Sequence, residues 1–252
     1  MYQDERLEEI LKIVSKKKVI SNEDLLNQVY SSKSTLRRDL IILEKQGKIE
    51  RKFGYITVVD ASNVEFGYQI RMKKAHEKKK SIASIANDFI GDGEAIFCDS
   101  STTCMHLVPY LIKKQNLIII TNGLHIATSL SERSDAKIYI CGGHIYNSSG
   151  SVLGSSASEF ISNFRADIAF ISCEGISKNG IYMSNDEQAQ IKEKIITQAR
   201  ETILLCDSSK VNKESYYKLC GYNNIDTIIT DKKPEKNSFL VNTDIELLYP
   251  VE

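Results

Sequence analysis

The chain has 252 residues, of which 42% are hydrophobic and 26% are charged, and its formal net charge is zero. A chain of this length can bury a substantial core and can form two domains. No apolar run approaches the about 20 residues that a membrane helix needs, and the N-terminal residues lack the apolar stretch of a signal peptide. We therefore expect a cytoplasmic protein that has no membrane partner.

The charges are distributed unevenly along the chain. Residues 1–80 contain 18 Lys and Arg against 12 Asp and Glu, a net charge of +6, whereas residues 81–252 contain 15 against 21, a net charge of −6. A basic N-terminal segment followed by an acidic remainder is typical of a module that binds a polyanion and is attached to a second domain.

None of the six cysteines forms a CxxC pair, which argues against a zinc ribbon and against thioredoxin-like chemistry. Four of them end apolar runs and are predicted to be small core residues: Cys98, Cys141, Cys173 and Cys206. The sequence therefore predicts free thiols, no bound metal and no cofactor. A redox sensor that uses Cys98 or Cys141 remains an alternative.

In chain order, the first 59 residues predict three helices followed by a strand hairpin. The predicted helices span residues 5–18, run from Ser21 through Val29, and run from the N-cap Ser32 to Gly47. The predicted strands span residues 48–52 and 55–59 and are joined at Phe53 and Gly54. Three helices and a hairpin within sixty residues predict a winged helix-turn-helix.

The third helix has one apolar face and one polar face. Leu36, Leu40 and Leu43 recur at i, i+4 and i+7 and predict the buried stripe. Ser34, Arg37 and Arg38 recur at i, i+3 and i+4, which gathers a hydroxyl and two guanidinium groups on another face. Such a face suits entry into a DNA major groove, although an ordinary solvated face is the alternative.

The preceding helices and the hairpin favour the DNA interpretation of this face. The hairpin would place Arg51 and Lys52 beside phosphates or the minor groove. We interpret Asp39 as a structural ion-pair or cap partner, because a carboxylate facing DNA would repel phosphate. The predicted DNA-contacting residues are Ser32, Lys33, Ser34, Thr35, Arg37, Arg38, Arg51, Lys52 and Tyr55.

Residues 60–80 lose apolar periodicity and predict a linker that ends in a lysine-rich, solvated helix start. A helix containing Ile82 and Ile90 follows and is closed by Gly91. Six apolar runs then alternate with helical stretches: Ala95–Cys98, Leu117–Thr121, Lys137–Cys141, Ile168–Ser172, Thr202–Cys206 and Thr227–Thr230. This alternation predicts an α/β domain over residues 81–252 with a mostly parallel sheet and helices on both faces.

Polar residues follow several of these strands, at the sheet edge where ligands of parallel α/β folds bind. The hydroxyl-rich loop after the first run opens a helix and suits a phosphate dianion. It lacks a Walker-A lysine, and Lys210 could supply charge from a neighbouring strand end. The alternative is that these residues are ordinary helix caps and turn formers.

The segment from Ser32 to Leu40, followed by Leu43-Glu44 and Gly47, resembles the recognition-helix signature of DeoR-type bacterial transcription regulators. In the wing, which is the hairpin predicted at residues 48–59, this chain has Gly54-Tyr55 where the family usually has two glycines.

The resemblance extends through the second domain, where Ser101 stands at a position that is commonly glycine in the family. It implies a fold shared with ribose-phosphate isomerases and glucosamine-phosphate deaminases, used to sense a phosphorylated sugar. It supports these effector-binding residues: Asp99, Ser100, Ser101, Thr102, Thr103, Asn122, Gly142, Gly143, Glu187 and Lys210. Of the neighbouring residues, Asp186, Glu187 and Lys192 are weaker candidates.

These observations together predict a transcriptional repressor, not an enzyme, that binds a double-stranded DNA operator and responds to a phosphorylated sugar. One such module offers few base contacts, so we expect a homodimer or homotetramer. The first rival is a sugar-phosphate isomerase or deaminase with an accessory DNA-binding domain and a histidine acid or base. Its candidate histidines are His106, His125 and His144. The second rival is the redox-responsive regulator.

Overall fold

The computed structural model describes residues 3–17, 19–52, 54–58, 67–242 and 245–250. The chain divides into two compact units, Met1–Arg71 and Met72–Glu252, hereafter the N-terminal and the C-terminal unit. Each unit has a hydrophobic core of its own.

The N-terminal unit is a winged helix-turn-helix, as the sequence predicts. Its elements are α1 (Gln3–Lys17), β1 (Val19–Ser21), α2 (Asn22–Leu26), α3 (Lys33–Lys45), β2 (Ile49–Lys52) and β3 (Tyr55–Val58). The three strands form an antiparallel sheet with β3 in the middle. The core is filled by one face of each long helix, by α2 and by the sheet, and includes Leu7, Ile10, Leu11, Val14, Leu25, Leu36, Leu40, Leu43 and Ile56.

Both ends of α3 are set by local sequence. The Ser32 side chain accepts the N–H of Thr35 at 3.2 Å and so caps the first turn. At the other end Gly47 adopts a φ of 66°, and the N–H groups of Gly47 and Lys48 return to carbonyls of the last turn. This is the Schellman arrangement, which favours glycine because its backbone enters the left-handed region without strain.

Two parts of the N-terminal unit differ from the prediction. The second helix is capped by Ser21 as predicted but ends at Leu26, and a turn carries the buried Val29 instead. Strand β1 was not predicted, because three residues are too short to show a period and the strand exists through its pairing with β3. The predicted positions Phe53 and Val59 lie outside the described residues.

Helix α4 (Tyr68–Lys73) crosses the boundary between the units. The other helices of the C-terminal unit are α5 (His76–Ala86), α6 (Thr102–Met105), α7 (Val108–Leu111), α8 (Leu124–Ser131), α9 (Ser155–Ser162) and α10 (Asp186–Gln198). Its strands are β4 (Ala95–Cys98), β5 (Ile118–Thr121), β6 (Lys137–Ile140), β7 (His144–Tyr146), β8 (Ser151–Leu153), β9 (Ala166–Ser172), β10 (Gly175–Ser177), β11 (Gly180–Met183), β12 (Ala199–Leu205), β13 (Tyr217–Cys220), β14 (Thr227–Ile229) and β15 (Glu246–Leu248).

A seven-stranded sheet organises the C-terminal unit, and every strand pair in it is parallel. The strand order is β15-β14-β12-β9-β4-β5-β6. Side chains alternate between two cores: Ile96 and Phe170 face one, while Phe97 and Ile171 face the other. Helices α5, α7 and α8 supply residues to the first core, and α9 and α10 supply residues to the second. The α/β architecture with helices on both faces is therefore confirmed.

The six predicted strands are present, with ends shifted by a few residues. The sequence missed β15, a three-residue strand at the sheet edge, and it missed the small antiparallel sheets β7-β8 and β10-β11-β13. These short strands are defined by their pairing with neighbouring strands rather than by their own sequence.

The predicted linker contains regular structure in its described part. Helix α4 lies within it, and α5 begins at His76, well before the apolar residues that predicted this helix. The lysine-rich helix start is not uniformly solvated as predicted, because Lys79 is only 4% exposed. Gly91 lies beyond the helix, which ends at Ala86 and is followed by a 3-10 turn. None of the helices within the described ranges is long and apolar enough to span a membrane.

Candidate functional site

The predicted DNA-contacting face of α3 is exposed. Its solvent-facing polar residues are Lys33, Ser34, Arg37 and Arg38. The Arg38 side chain donates from Nε to the carbonyl oxygen of Ser34, at 3.4 Å. This contact lies along the helix surface and uses one donor, so the guanidinium keeps four other N–H donors for a ligand.

A groove follows this face of α3 and extends to α2 and β2. Its polar lining includes Asn22, Glu23, Lys33, Arg37, Arg38 and Arg51. The lining contains four cations and one carboxylate, that of Glu23, so the groove, hereafter the recognition groove, has the positive charge that a polyanion requires.

The hydroxyl groups at the start of α3 are engaged with one another. Ser32 Oγ lies 3.0 Å from Ser34 Oγ and 2.9 Å from Thr35 Oγ1, in addition to capping the helix. Ser32 and Ser34 are exposed and Thr35 is half-buried. A phosphate at this end of the helix would therefore meet hydroxyls that already hold the first turn in place.

The predicted wing residues are spread over the hairpin β2–β3. Arg51 donates from Nε to Glu44 Oε2 at 2.9 Å, which ties the wing to α3 and occupies part of the guanidinium. Tyr55 is 55% exposed at the start of β3. Lys52 ends β2, and its side chain lies outside the described part of the structure. The turn between the strands uses Gly54, whose φ is 82°.

Asp39 does not face the recognition groove. It is fully buried and accepts two hydrogen bonds from Arg6 of α1, from Nε at 2.8 Å and from the neighbouring guanidinium nitrogen at 3.2 Å. The structural interpretation of Asp39 as an ion-pair partner is confirmed. Sequence analysis did not identify Arg6, because nothing in its local spacing points to a partner 33 residues away.

In the C-terminal unit, Asp99 lies at the end of β4 and joins three elements. It is 1% exposed, contacts Lys192 Nζ of α10, and accepts the N–H groups of Ser101 and Ser172, each at 2.8 Å. Burial favours the neutral acid, but the adjoining ammonium and these hydrogen bonds outweigh it and lower the pKa of Asp99. Asp99 is therefore a charged anchor for the loop that follows it.

The first half of the hydroxyl loop is held by side chains from neighbouring strand ends. The Ser100 N–H donates to Asn122 Oδ1 at 3.1 Å, and Ser100 Oγ accepts from Ser151 Oγ at 2.7 Å. Ser101 is the N-cap of α6 and accepts the N–H of Cys104 at 3.1 Å. Two backbone N–H groups of the loop are thus already used, that of Ser100 by Asn122 and that of Ser101 by Asp99.

The second half of the loop is held through hydroxyl oxygens. Thr102 Oγ1 accepts from Lys79 Nζ at 3.0 Å, and Thr103 Oγ1 accepts from Ser172 Oγ at 3.3 Å. Both threonines are buried. Their amides lie in the first turn of α6, where the helix itself supplies no acceptor. Of the loop amides from Ser100 to Thr103, these two are the ones positioned to meet an anion.

Lys210 reaches the same edge of the sheet from the 3-10 turn Ser208–Lys210 after β12. Its Nζ lies 2.6 Å from the Cys173 carbonyl oxygen, 3.1 Å from Ser172 Oγ and 3.9 Å from Asp207 Oδ2. Burial lowers the pKa of Lys210, but attraction to the anionic forms of the neighbouring Cys173 and Asp207 side chains outweighs it, so the pKa is raised. Lys210 is therefore a charged ammonium whose side chain is 20% exposed to solvent.

The remaining predicted residues lie at the rim of this edge. Gly142 and Gly143 are exposed, and a Cβ on Gly143 would lie 2.3 Å from the Leu153 carbonyl oxygen, so this position requires glycine for packing. Glu187 is half-buried in the first turn of α10, and its Oε2 lies 3.3 Å from His144 Nε2. The sequence underrated Lys192, which is 4% exposed, and missed Ser172, because their roles depend on long-range pairing.

Among the described residues, the candidate histidines contact another histidine, backbone atoms and a surface carboxylate. His106 Nδ1 donates to the Thr102 carbonyl oxygen at 2.7 Å, and its Nε2 lies 3.1 Å from His76 Nδ1. Burial and nearby lysines outweigh this hydrogen bond and lower the pKa of His106. His125 packs against Gly150, where a Cβ would lie 2.7 Å from its Nε2. His144 pairs with Glu187 at the surface.

All six cysteines are free, and the four that were predicted as core residues are buried. Cys98 is fully buried, and burial raises the pKa of Cys141 to about 12, which keeps this thiol protonated and unreactive. The Sγ atoms of Cys173 and Cys206 lie 3.8 Å apart on neighbouring strand ends. Within the described residues, no group of three or more His, Cys, Asp and Glu side chains could hold a metal ion.

Comparison with known proteins agrees with both units. The family model described as a DeoR-like helix-turn-helix domain matches residues 6–62, and the one described as a DeoR C terminal sensor domain matches residues 74–232. The HTH-type transcriptional repressor GlcR of Bacillus subtilis (strain 168) is 34% identical over 98% of this chain and 96% of its own length. The Glycerol-3-phosphate regulon repressor of Escherichia coli (strain K12) is 29% identical over 97% of each chain.

Among solved structures, a D-ribose-5-phosphate isomerase in complex with phospho-erythronic acid aligns with 54% of each chain at 15% identity and a TM-score of 0.41, too low to inform function.

A winged helix-turn-helix with a cationic groove, joined to a parallel α/β unit, defines a DNA-binding transcription regulator. The chain belongs to the DeoR family of these regulators. This family and both relatives are regulators and not enzymes, which disfavours the isomerase or deaminase alternative.

The recognition groove generates a direct test. We expect Arg37→Ala and Arg38→Ala to weaken binding to an operator fragment selected from random-sequence DNA while leaving the fold intact. A residue that contacts a base should contribute about 1–3 kcal/mol and its loss should relax specificity at one position. A residue that contacts only phosphate should weaken all sequences alike and reduce the salt slope by about one.

The measurement is fluorescence anisotropy at several salt concentrations. Lys45→Ala is the matched control, because Lys45 is an exposed cation in the last turn of the same helix and does not line the groove. If both arginine variants bind like the wild type, α3 is not the element that reads DNA.

Proposed function

We propose that the protein is a transcriptional repressor whose affinity for its operator is controlled by a phosphorylated sugar. Residues 1–59 bind the operator, residues 60–80 link the domains, and residues 81–252 sense the effector. The observation that carries the proposal is the convergence of Lys210, Ser172 and the hydroxyl loop at the carboxyl edge of the parallel sheet. Both relatives described above are named as repressors, and one is named for a phosphorylated polyol.

On the DNA side, α3 enters the major groove with Arg37 and Arg38 toward the bases, and its capped N-terminus lies near a phosphate. The wing contributes Arg51, Lys52 and Tyr55 to the backbone. Arg51 donates from Nε to Glu44 Oε2 at 2.9 Å, which orients the guanidinium and leaves its other N–H groups to contact a phosphate. The exposed Tyr55 supplies a hydroxyl that can donate to phosphate oxygen.

On the effector side, the phosphate is held by the first turn of α6 and by Lys210. The amides of Thr102 and Thr103 donate to its oxygens, and the Lys210 ammonium provides a charge-assisted contact. The sugar hydroxyls lie toward the rim, where Glu187 accepts hydrogen bonds beside Gly142 and Gly143. Asn122 is buried, and its amide contacts Ser100 and the Val152 carbonyl oxygen, so it supports the loop beneath the effector. Asp99 positions this arrangement from beneath, because its carboxylate is already committed to Lys192 and to the loop.

The protein acts as a homodimer or homotetramer that reads two half-sites. One recognition helix offers few base contacts, and doubling the interface is the usual way in which helix-turn-helix proteins gain affinity and specificity. Light scattering of the protein bound to a two-half-site operator should give the mass of at least two protomers per DNA. The mass of one protomer per DNA would contradict this part of the proposal.

The sharpest test of the effector site is Lys210→Ala. The change removes one charge-assisted contact, worth about 1.5–3 kcal/mol, so effector affinity should fall roughly ten- to a hundredfold. Residues 1–59 do not require this contact, so operator affinity without effector should be almost unchanged. Because binding and DNA release are linked, the variant should remain on the operator at effector concentrations that release the wild type.

The measurement is an anisotropy titration of the operator complex with effector, for both proteins in the same salt. Lys213→Ala serves as the control, because Lys213 is an exposed lysine three residues away. Thermal melts of each variant verify the fold. Equal release midpoints for Lys210→Ala and the wild type would remove Lys210 from the site. If effector tightens DNA binding in the wild type, the protein is not an effector-released repressor, and the variant should lose the enhancement.

A further inference from the structure

Two of the six cysteines lie side by side at the carboxyl edge of the parallel sheet. Strands β9 and β12 are neighbours, and their last paired residues are Ser172 and Leu205. Cys173 and Cys206 directly follow these residues, both belong to the same hydrophobic core, and their Sγ atoms lie 3.8 Å apart. Neighbouring strands are separated by about 4.8 Å, which is within the Cα separation of about 4.4–6.8 Å that a disulfide spans. The fold therefore holds two thiols where a bond can join them.

The two thiols of this pair differ in acidity. A thiolate at Cys173 accepts a hydrogen bond from the Cys206 thiol, and this bond and the nearby ammonium of Lys210 outweigh burial and lower the pKa of Cys173. The same hydrogen bond, together with burial, raises the pKa of Cys206 well above its ordinary value. By contrast, burial raises the pKa of Cys141 and of Cys220 to about 12. Cys173 is therefore the nucleophile of the pair, and Cys206 is the partner that keeps its proton.

The position of Cys173 at the sheet edge lets a small oxidant approach it. Cys173 is 5% exposed, whereas Cys206 is fully buried. Lys210, whose Nζ contacts the Cys173 carbonyl oxygen at 2.6 Å, has a side chain that is 20% exposed. A molecule as small as hydrogen peroxide can therefore reach Cys173 from the side of Lys210, and it meets the more acidic thiol first.

We propose that Cys173 and Cys206 form an oxidisable dithiol that a hydroperoxide converts into a disulfide, and that this disulfide weakens binding of the phosphorylated sugar. The first half of the inference concerns the two thiols alone. The second half rests on the proposed function and gives the effector site a second input, because the dithiol adjoins Lys210.

The oxidation proceeds in two steps whose atoms and electrons balance. The Cys173 thiolate attacks a peroxide oxygen, so an S–O bond forms, the O–O bond breaks, and the departing hydroxide takes up the proton that the Cys173 thiol had lost. The Cys206 sulfur then attacks this sulfenic acid, so the S–S bond forms, the S–O bond breaks, and the hydroxyl group leaves with the Cys206 proton as water. Two thiols are oxidised and one hydroperoxide is reduced, and a thiol reductant reverses the disulfide.

The disulfide would disturb the contacts that position Lys210. Sulfur atoms that lie 3.8 Å apart have to approach to a bond length of about 2.05 Å, which draws the two strand ends together. The Lys210 ammonium contacts the Cys173 carbonyl oxygen and, at 3.1 Å, Ser172 Oγ, and both belong to one of these strand ends. We therefore expect the oxidised protein to hold a phosphate less tightly.

The first readout is the bond itself, measured in the full chain. Reduced wild-type protein is treated with hydrogen peroxide, digested and mapped by mass spectrometry. We expect a disulfide between Cys173 and Cys206 of one protomer, which dithiothreitol reverses. Cys141→Ala is the matched control and should form this disulfide as the wild type does, because Cys141 is a buried thiol outside the pair.

Two variants test the assigned roles of the thiols. Dimedone, which traps sulfenic acids, should label Cys173 in peroxide-treated Cys206→Ala and should not label Cys206 in peroxide-treated Cys173→Ala. Thermal melts verify the fold of each variant, and a serine replaces the alanine in a variant that does not fold.

The second readout is isothermal titration with a panel of phosphate esters that includes ribose 5-phosphate and glucosamine 6-phosphate. The wild-type protein is titrated reduced, oxidised and reduced again. We expect oxidation to raise the Kd for the ester that binds the reduced protein by about fivefold or more, and reduction to restore it. Cys173→Ala should give the same Kd before and after peroxide treatment.

The outcomes separate this inference from the proposed function. Peroxide-treated wild-type protein without a disulfide between Cys173 and Cys206, or equal Kd values for the reduced and the oxidised protein, would overturn the inference while the proposed function stands. A reduced protein that binds no member of the panel would overturn the proposed function and the second half of the inference, whereas the mapped disulfide would still establish the first half.

Discussion

The buried pair of Asp99 and Lys192 is the interaction on which the C-terminal unit depends most. It joins the end of β4 to α10, and the same carboxylate fixes the loop amide of Ser101 and the strand-end amide of Ser172. An ion pair of this kind adds little net stability, because desolvation offsets most of the attraction, but losing one partner would leave a buried charge. Its contribution is positional. It holds the hydroxyl loop in one conformation, against which a ligand and two further lysines can be placed.

The N-terminal unit also contains a buried ion pair, and this pair has a different role. Asp39 lies on α3 immediately after the two arginines of the recognition groove, yet its carboxylate is withdrawn into the core by Arg6. The withdrawal keeps negative charge away from a surface that must approach phosphate. It also fixes the rotation of α3 against α1, so that the leucine stripe is buried and the arginines are exposed.

Sequence reasoning recovered the features that are encoded locally. These features depend on residues that are close in the chain, so the local pattern predicts the element. They are the caps at Ser32 and Gly47, the leucine stripe of α3 and the six apolar runs. It failed for elements that exist only through distant pairing. Strand β1 forms by pairing with β3, and β15 forms by pairing with β14, and neither partner is close in the chain.

The candidate site shows the same division. Asp99, the hydroxyl loop and Lys210 were found because polar residues follow predicted strands. Lys79 was misassigned to a solvated face, because a run of three lysines looks hydrophilic and its depth is decided by how α5 packs on the sheet. Ser172 was overlooked because it belongs to a strand, and only the neighbouring strand ends make it part of a polar cluster.

We infer that binding of a phosphorylated sugar in the C-terminal unit changes the affinity of the N-terminal unit for DNA. The decisive experiment measures the operator affinity of the wild-type protein by anisotropy, with and without the phosphorylated sugar that raises its melting temperature most in a thermal-shift screen of phosphorylated sugars. The same sugar without its phosphate is the control. We expect the phosphorylated form to weaken operator binding at least fivefold, which corresponds to about 1 kcal/mol of coupling, and the unphosphorylated form to have no effect. Equal operator affinity in all three conditions, despite saturating sugar phosphate, would contradict it.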